Sequence, residues 1–257
     1  MIAVVDYQKG NLKSVERGLI AAGGEAFITA DASEIAKADA IVLPGVGAFA
    51  DAAATMCELG QMETIRERVR AGVPFLGICL GEHLMFEHGV EGAPEGSPAC
   101  GLGLLPGTVV AMPRGDEQGK AFKVPHVGWN TIEIPACGAF AAPPCGGVGE
   151  DAVLKQSSLR SENAGGTFSD STPQPGNSLA FACPLFDGIA PGEYFYFTHS
   201  YIAPTGSHTI AETTHSVRFT SAVQYGDRAF GVQFHPEKSS DAGARVLANF
   251  VAIAARG

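Results

Sequence analysis

The sequence predicts an α/β protein with an open, mostly parallel, doubly wound sheet, helices on both faces, and an antiparallel, strand-rich second half. Through residues 1–90, apolar runs of strand length alternate with amphipathic helical patterns. The runs are continuously apolar, which is typical of parallel strands covered on both faces. With 257 residues, 46% of them hydrophobic and 17% charged, the chain has the composition of a globular protein with one good-sized core.

The first half contains four predicted strands joined by helices. These strands are the apolar runs at residues 2–6, 25–29, 40–43 and 73–78. A helix is predicted from an Asn11 cap to the stop at residues 23–24, because apolar residues between them recur at helical spacing. Asp31 and Glu34 have the spacing of a capping box for a second helix, and residues 49–71 are predicted to be helical.

The second half is richer in strands and ends in a helix. Its predicted strands are residues 108–111, 194–202, 222–225 and 229–234. Residues 225–228 have the composition of a hairpin turn, and residues 240–255 have the spacing of an amphipathic helix.

Residues 136–183 differ abruptly in composition from the rest of the chain. Gly, Ala, Pro and Ser dominate there, and such a segment buries too little apolar surface to offset its ordering entropy. We therefore expect a single domain over residues 1–257 with a flexible insertion at 136–183. An ordered excursion that touches a partner is the alternative.

Charge and composition argue against several functional classes. The net charge of −10 and the lack of a clustered basic face argue against a nucleic-acid partner. Residues 1–6 fit a first strand better than a signal peptide, and no stretch approaches membrane-spanning length, so we expect a cytoplasmic protein without a membrane partner. The six cysteines lack the two-residue spacing of metal or redox sites, so neither a metal nor a cofactor is expected.

The segment 73–81 predicts a nucleophile elbow. An apolar run ends at Cys79, Gly77 and Gly81 flank it, and a helical pattern follows at once. In an elbow a strand turns sharply into a helix and presents the corner side chain above the sheet with strained backbone angles. The helix amino end favours the Cys79 thiolate, and the Leu80 N–H can point at a developing oxyanion. We predict that Cys79 attacks carbonyl carbons; a small buried core residue is the alternative.

A matching base is predicted far downstream at His235. Phe230, Val232 and Phe234 alternate as in a strand that ends at His235. Residues two apart on an extended chain project to the same side, so Glu237 is expected to reach back to the imidazole. The chain thus carries a nucleophile, a base and an orienting carboxylate. A solvated or packed side chain is the usual interpretation of an isolated histidine, and we keep it for His88, His208 and His215.

These residues resemble the signatures of one enzyme family. Residues 77–81 (GICLG) and 235–237 (HPE) resemble class I (triad) glutamine amidotransferases. Within that class the chain resembles the glutaminase subunit of imidazole glycerol phosphate synthase, of histidine biosynthesis. The segments that carry this closer resemblance are DYQKGN at 6–11, LPGVGAF at 43–49, KVPHVGWN at 123–130, FYFTHSY at 195–201 and HPEKS at 235–239. The resemblance covers roughly residues 1–135 and 184–257.

The resemblance implies hydrolysis of L-glutamine to glutamate and ammonia through a cysteine thioester, with Cys79, His235 and Glu237 as the catalytic residues. Amides of residue 80 and of the 45–47 turn would hold the carbonyl oxygen as it gains charge. The residues implied in oxygen or substrate binding are Gly45, Val46, Gly47, Leu80, His83, His199, Ser200 and Tyr201. For residues 199–201, an ordinary strand with a buried tyrosine is the alternative.

The resemblance also implies a partner. Ammonia in water near neutrality is mostly ammonium, which is not a nucleophile, so the product must be handed on under cover. The family's partner is a (β/α)₈-barrel cyclase, and we expect it to be a separate chain because about twenty residues after His235 leave no room for a barrel. The positions implied near that interface are Asn11, Lys123, His126, Trp129, Asn130 and Lys238, although a lone tryptophan is more usually a core residue.

The sequence departs from the family pattern at three places. First, the chain has Glu82-His83 after Gly81, where the family pattern has a glutamine at position 83. Second, Gln8 replaces a usual glycine. The third departure is the insertion at 136–183. Two alternatives therefore stay open. One is another class I amidotransferase or a related cysteine hydrolase; the other is a poorly active regulatory homologue, which His83 alone suggests.

Overall fold

The computed structural model describes residues 1–135 and 181–256. Its strands are β1 (Ile2–Val5), β2 (Ala26–Thr29), β3 (Ala40–Gly45), β4 (Phe75–Cys79), β5 (Phe86–Gly89), β6 (Ala99–Cys100), β7 (Leu105–Ala111), β8 (His126–Thr131), β9 (Tyr194–His199), β10 (Tyr201–Ile202), β11 (Thr209–Thr214), β12 (Arg218–Tyr225) and β13 (Ala229–Val232). Its α-helices are α1 (Leu12–Ala21), α2 (Ala32–Ile35), α3 (Phe49–Glu58), α4 (Gln61–Arg70), α5 (Leu80–His83) and α6 (Ser240–Ala254). Short 3-10 helices span Pro184–Phe186 and Pro236–Lys238.

A central sheet has the strand order β11-β12-β13-β4-β3-β1-β2. The five strands from β13 to β2 are parallel, whereas β11, β12 and β13 pair antiparallel. This confirms the predicted α/β class with a mostly parallel sheet and an antiparallel second half. Two smaller sheets, β10-β7-β5-β6 and the antiparallel β8-β9 pair, complete the described strands.

Helices cover both faces of the central sheet. Val15 and Leu19 of α1 pack with Val246, Leu247 and Phe250 of α6 in one apolar cluster, which includes alternate residues of the central strands. The opposite cluster contains apolar residues from α2, α3 and α4. Burying each of these large side chains contributes about 1.5–3 kcal/mol, and the two clusters together hold the sheet between its helical layers.

The carboxyl ends of β3, β4 and β13 meet at one edge of the central sheet. Gly45, the last residue of β3, is the register partner of Cys79, the last residue of β4. On the other side of β4, Val232 at the end of β13 pairs with Ile78. In such sheets ligands bind beyond the carboxyl ends of the strands, so this edge is where a site is expected.

Several predicted elements differ in extent from the observed ones. The helical stretch 49–71 is broken into α3 and α4, since Gly60 adopts a left-handed φ of 69° that no helix can continue through. The predicted strand 194–202 is interrupted after His199, and the predicted strand 229–234 ends at Val232. Strands β5, β6, β8 and β11 were not predicted.

The capping box at α2 forms only in part. The Asp31 carboxylate accepts the Ser33 N–H at 2.7 Å, as an N-cap should. The Glu34 carboxylate, however, accepts the hydroxyl of Thr29 instead of the Asp31 N–H, and the Asp31 N–H is bonded to the same hydroxyl at 3.1 Å. Thr29 is thus inserted into the expected reciprocal pair.

The described residues belong to one compact unit. The predicted insertion at 136–183 falls on residues 136–180, which lie outside the described residues, and on the three that follow. None of the helices in 1–135 and 181–256 combines the length and the apolar character that crossing a membrane requires.

Candidate active site

Cys79 occupies the corner between β4 and α5. Its φ of 54° and ψ of −107° are strained values for a residue with a Cβ, as the elbow prediction requires. A Cβ on Gly77 would collide with the backbone of Gly81 in the same turn. On Gly81, a Cβ would overlap the Leu43 carbonyl, so that glycine is needed for the close approach of β3. The helix α5 is only four residues long, so its dipole is small and the Leu80 N–H is the main donor available there.

His235 and Glu237 form a buried pair. Nδ1 of His235 lies 2.9 Å from Oε1 of Glu237, and both side chains are almost fully buried. The contact was predicted, but the predicted reason was wrong: the chain here is not extended, and a 3-10 turn at Pro236–Lys238 brings the carboxylate back. Nε2 of His235 is buried and makes no regular hydrogen bond among the described residues. This nitrogen is therefore available to interact with the Cys79 side chain.

The surroundings of His235 favour its protonated form. Burial by itself would lower the pKa of the imidazole. The interactions with the Cys79 thiolate and with the Glu237 carboxylate outweigh burial and raise the pKa to about 9. At neutral pH His235 is therefore an imidazolium, and its positive charge interacts with the Cys79 side chain.

A cavity of about 370 Å³ opens beside Cys79, at the lower end of the size range of small-molecule sites. Most of the residues predicted to bind oxygen or substrate line it. The lining residues are Val46, Gly47, Ala48, Cys79, Leu80, His83, Glu91, Pro125, Thr198, His199, Ser200 and Tyr201. Gly45 does not line the cavity and lies beside it as the register partner of Cys79.

The 45–47 turn is tightly packed at Gly45 and exposed to solvent at Val46. A Cβ on Gly45 would overlap the Tyr7 hydroxyl, which is buried beneath the turn. Burial raises the pKa of that hydroxyl, and the charge of Cys79 raises it further. Val46 is 43% exposed, and Gly47 has a φ of +103°. The glycines therefore permit close packing at 45 and an unusual backbone direction at 47.

His83 is buried and is linked to Cys79 through Gln233. Nε2 of His83 lies 2.7 Å from Oε1 of Gln233, and the Gln233 amide nitrogen lies 3.7 Å from Sγ of Cys79. Burial lowers the pKa of His83 to about 4, against the opposing effect of the Gln233 hydrogen bond, so the ring is neutral at pH 7. Gln233 and Thr198, whose carbonyl oxygen lies 3.9 Å from Sγ, were missed by the sequence analysis. The period of two would have indicated Gln233, which stands two residues before His235.

The predicted interface residues separate into buried and exposed groups. His126 is buried, with Nδ1 at 3.0 Å from Nε2 of His199 on the neighbouring strand of the antiparallel β8-β9 pair. Asn130 is half-buried and donates to the Thr214 carbonyl at 2.9 Å. Neither residue lines the cavity, and His126 contacts it only through His199. The predicted interface residues at the surface are Asn11, Lys123, Trp129 and Lys238.

Trp129 belongs to an exposed apolar strip on β8. It is 51% exposed, and Val127, two residues earlier on the same face, is 55% exposed. Tyr196 on β9 is the cross-strand partner of Trp129 on β8. The Lys238 ammonium is 5.8 Å from the centre of the Tyr196 ring. The default expectation of a core tryptophan does not hold here. Within 1–135 and 181–256, no group of three or more His, Cys, Asp or Glu residues is arranged to hold a metal ion.

The geometry defines a class of protein, and the family comparison agrees. The family model described as "Glutamine amidotransferase class-I" matches residues 3–254. The chain therefore belongs to the class I glutamine amidotransferase family. A solved structure described as "Crystal structure of glutamine amidotransferase" shares the fold, with a TM-score of 0.62 at 16% identity, over 99% of this chain and 100% of that chain.

Two similar proteins narrow the assignment. A protein of Moorella thermoacetica is 39% identical over 251 residues, covering 97% of this chain and 93% of its own length. A protein of Syntrophotalea carbinolica is 36% identical over 253 residues, covering 97% and 98%. Both are named imidazole glycerol phosphate synthase subunit HisH. Within the class, the chain groups with the HisH subunits.

Proposed function

We propose that this chain is the glutaminase subunit of imidazole glycerol phosphate synthase. It hydrolyses L-glutamine to glutamate and ammonia and passes the ammonia to a separate (β/α)₈-barrel cyclase, in the cytoplasm, for imidazole glycerol phosphate formation in histidine biosynthesis. The observation that carries the proposal is the strained backbone of Cys79 at the edge of the cavity. The buried His235, which is paired with Glu237, interacts with this cysteine.

In the first step the Cys79 thiolate attacks the side-chain amide carbon of glutamine. The carbonyl oxygen gains negative charge, and the Leu80 N–H and an amide of the 45–47 turn stabilise it. His235, protonated because its pKa is raised, gives its proton to the departing nitrogen. Ammonia leaves, and a thioester joins Cys79 to the glutamyl group.

In the second step water cleaves the thioester. Neutral His235 removes a proton from the water as it attacks, and Glu237 stabilises the imidazolium that forms. The second tetrahedral intermediate uses the same oxyanion donors. Its collapse releases glutamate and restores the thiolate and the imidazolium.

The cavity walls bind the rest of the glutamine molecule. Gly47 and the backbone of residues 199–201 lie in these walls, and their N–H and C=O groups suit the amino and carboxylate ends of the substrate. His83 also lines the cavity. Its neutral ring adds no charge that would compete for the substrate carboxylate.

The partner covers the exposed surface next to this cavity. Trp129 and Val127 present apolar area, while Lys123 and Lys238 present positive charge. Exposed tryptophans with polar neighbours are the residues on which protein–protein affinity most often depends. A barrel seated here would receive ammonia without its release to bulk water.

The test is glutamine turnover and imidazole glycerol phosphate synthesis, measured with and without the cyclase and the cyclase ligand. Cys79→Ala is expected to abolish glutamine-dependent synthesis in the complex and to spare ammonia-dependent synthesis. Cys57→Ser, at an exposed free cysteine, is the matched control and should leave both activities intact. Equal loss of both activities in Cys79→Ala would contradict the proposed role.

The same assay separates the two alternatives. Another class I amidotransferase would turn over glutamine but would not co-purify with the cyclase. A regulatory homologue would bind the cyclase without turning over glutamine. The HisH relatives and the buried His235–Glu237 pair favour the glutaminase over both.

A further inference from the structure

A second chain of polar contacts reaches Cys79, apart from the His235–Glu237 pair. Gln233 is fully buried and bridges two side chains: its carbonyl oxygen lies 2.7 Å from Nε2 of His83, and its amide nitrogen lies 3.7 Å from Sγ of Cys79. The contact with His83 joins residues that are 150 positions apart. Two polar side chains in series, His83 and then Gln233, thus end on the reacting sulfur atom.

The direction of the Gln233 amide follows from the oxygens around His83. Two oxygen atoms face Nε2 of that ring, Oε1 of Gln233 at 2.7 Å and Oε2 of Glu82 at 3.7 Å. A hydrogen on Nε2 satisfies this arrangement, whereas a lone pair there would face the lone pairs of the Gln233 carbonyl oxygen at 2.7 Å. With Nε2 as donor, the Gln233 carbonyl must turn to His83 and its NH₂ group to the sulfur. The opposite orientation would set the carbonyl oxygen against a thiolate.

We propose that Gln233 donates a hydrogen bond to the Cys79 thiolate and that His83 is a positioning residue that fixes the Gln233 amide in the donating orientation. This inference rests on the proposed function, in which Cys79 is the nucleophile. It gives position 83 a role through Gln233, in addition to any contact with substrate. A hydrogen bond to the charged form of a group stabilises that form, so the pair enlarges the thiolate fraction.

The proposal distinguishes the side chains that can replace His83. The amide nitrogen of a glutamine occupies nearly the position of the imidazole Nε2 and can donate to the Gln233 carbonyl, so His83→Gln should preserve the orientation. His83→Leu fills a similar space without a donor and frees the amide to rotate. Gln233→Met keeps the length of the side chain but removes the donor to sulfur.

The test is the pH dependence of Cys79 alkylation by iodoacetamide, followed on the Cys79 peptide by mass spectrometry so that Cys57 and Cys100 do not contribute. The titratable side chains that interact with Cys79 are His235 and Tyr7. His83 and Glu82 are the titratable side chains on the far side of Gln233. All of them are present in every variant except at the changed position. Gln233→Met and His83→Leu should each raise the alkylation midpoint by about one pH unit, which is a tenfold loss of rate below the midpoint.

His83→Gln should keep the wild-type midpoint, and so should Ser221→Ala, which removes a buried hydroxyl from the strand next to Gln233. An unchanged midpoint in Gln233→Met or in His83→Leu would overturn the proposal, as would a full shift in His83→Gln. Circular dichroism establishes that each variant is folded, and if one does not fold, the other decides. Alkylation needs neither glutamine nor cyclase, so failure of the glutaminase assay with wild-type protein would count against the proposed function alone.

Discussion

Oε1 of Glu237 lies 2.9 Å from Nδ1 of His235, with only Pro236 between the two residues in the chain. The proline begins the 3-10 turn that folds the carboxylate back under the ring. Pro fixes φ at a value this turn can use, so the pair is formed locally and does not depend on a distant loop. The base and its orienting group therefore move as one unit.

The first prediction concerns the alkaline limb of the pH profile. The pKa of His235 is raised to about 9, so the imidazolium proposed to protonate the departing amide nitrogen is present below that pH and is lost above it. We expect kcat/KM to fall as the pH rises through about 9. Glu237→Gln removes one interaction that raises this pKa, so the limb should move to lower pH and kcat/KM near neutrality should fall about 100-fold.

The measurement is kcat/KM for glutamine over a pH series in the presence of the cyclase. Asp241→Asn removes an exposed carboxylate four positions further along and should leave the limb where it is. If the limb of Glu237→Gln coincides with that of wild type, the carboxylate does not support His235.

The second prediction concerns Glu82 and stability. This carboxyl is fully buried, neither oxygen has a hydrogen-bond partner in the described part of the chain, and burial raises its pKa well above the usual value. A carboxyl with a raised folded-state pKa supports the fold fully below the unfolded pKa, and that support is lost as the pH rises through the folded pKa. Glu82→Gln should therefore stabilise the protein more at alkaline than at acidic pH.

Thermal melts at about pH 5 and about pH 8 check this, with an expected gain at the higher pH of about 1–2 kcal/mol, or roughly 3–6 °C in Tm. The exposed Glu67→Gln on α4 is the control and should show no such pH-dependent gain. A gain of the same size at both pH values would mean that ionisation of Glu82 is not the cause.

The third prediction concerns the exposed strip on β8. Trp129→Ala should weaken binding of the cyclase by about 2 kcal/mol, roughly 30-fold in Kd, because a large exposed aromatic at an interface typically carries that much. The fold should be unaffected, since the side chain is 51% exposed. Isothermal titration calorimetry gives the affinity.

Ile20→Ala, on α1, removes another large exposed apolar side chain and is the matched control. Unchanged affinity in both variants would exclude the β8 strip from the interface. Equal weakening in both would point to a general effect of surface hydrophobicity.

The fourth prediction concerns Gly81, two residues after Cys79. Gly81→Ala should cost about 3 kcal/mol of unfolding free energy, because the new Cβ would overlap the Leu43 carbonyl and push β3 away from β4. Urea unfolding provides the measurement. Glu67→Ala, on the exposed side of α4, should change stability by no more than about 0.5 kcal/mol, and a Gly81→Ala variant equally close to wild type would show that the turn is not tightly packed.

The sequence identified the parts of the site that local pattern controls. The glycines around Cys79 and the apolar run before it are a local signature, and the strained corner is confirmed. The pairing of His235 with Glu237 was also predicted, though from an extended chain where a 3-10 turn is present. The five parallel strands of the central sheet, being continuously apolar, were predicted to within two residues at each end, whereas β11 was missed.

The remaining features depend on contacts between distant residues. His83 and Gln233 meet only because β13 pairs with β4, which brings the residue after β13 to the helix α5 that follows β4, so no local spacing predicts the contact. His126 is buried because His199 stands opposite it in the antiparallel β8-β9 pair. The break at Gly60 was missed because a glycine within a helical pattern is often tolerated, and its left-handed φ becomes known only from the fold.

Cys79 closes β4, the middle strand of seven, and its partners come from the two strands on either side. Fraying of the outermost strands would leave these groups in place, whereas separation of the middle strands would disperse them over residues far apart in the chain. Turnover after mild heating should thus persist until the whole domain melts. Residual glutaminase rate then counts the intact molecules in a sample.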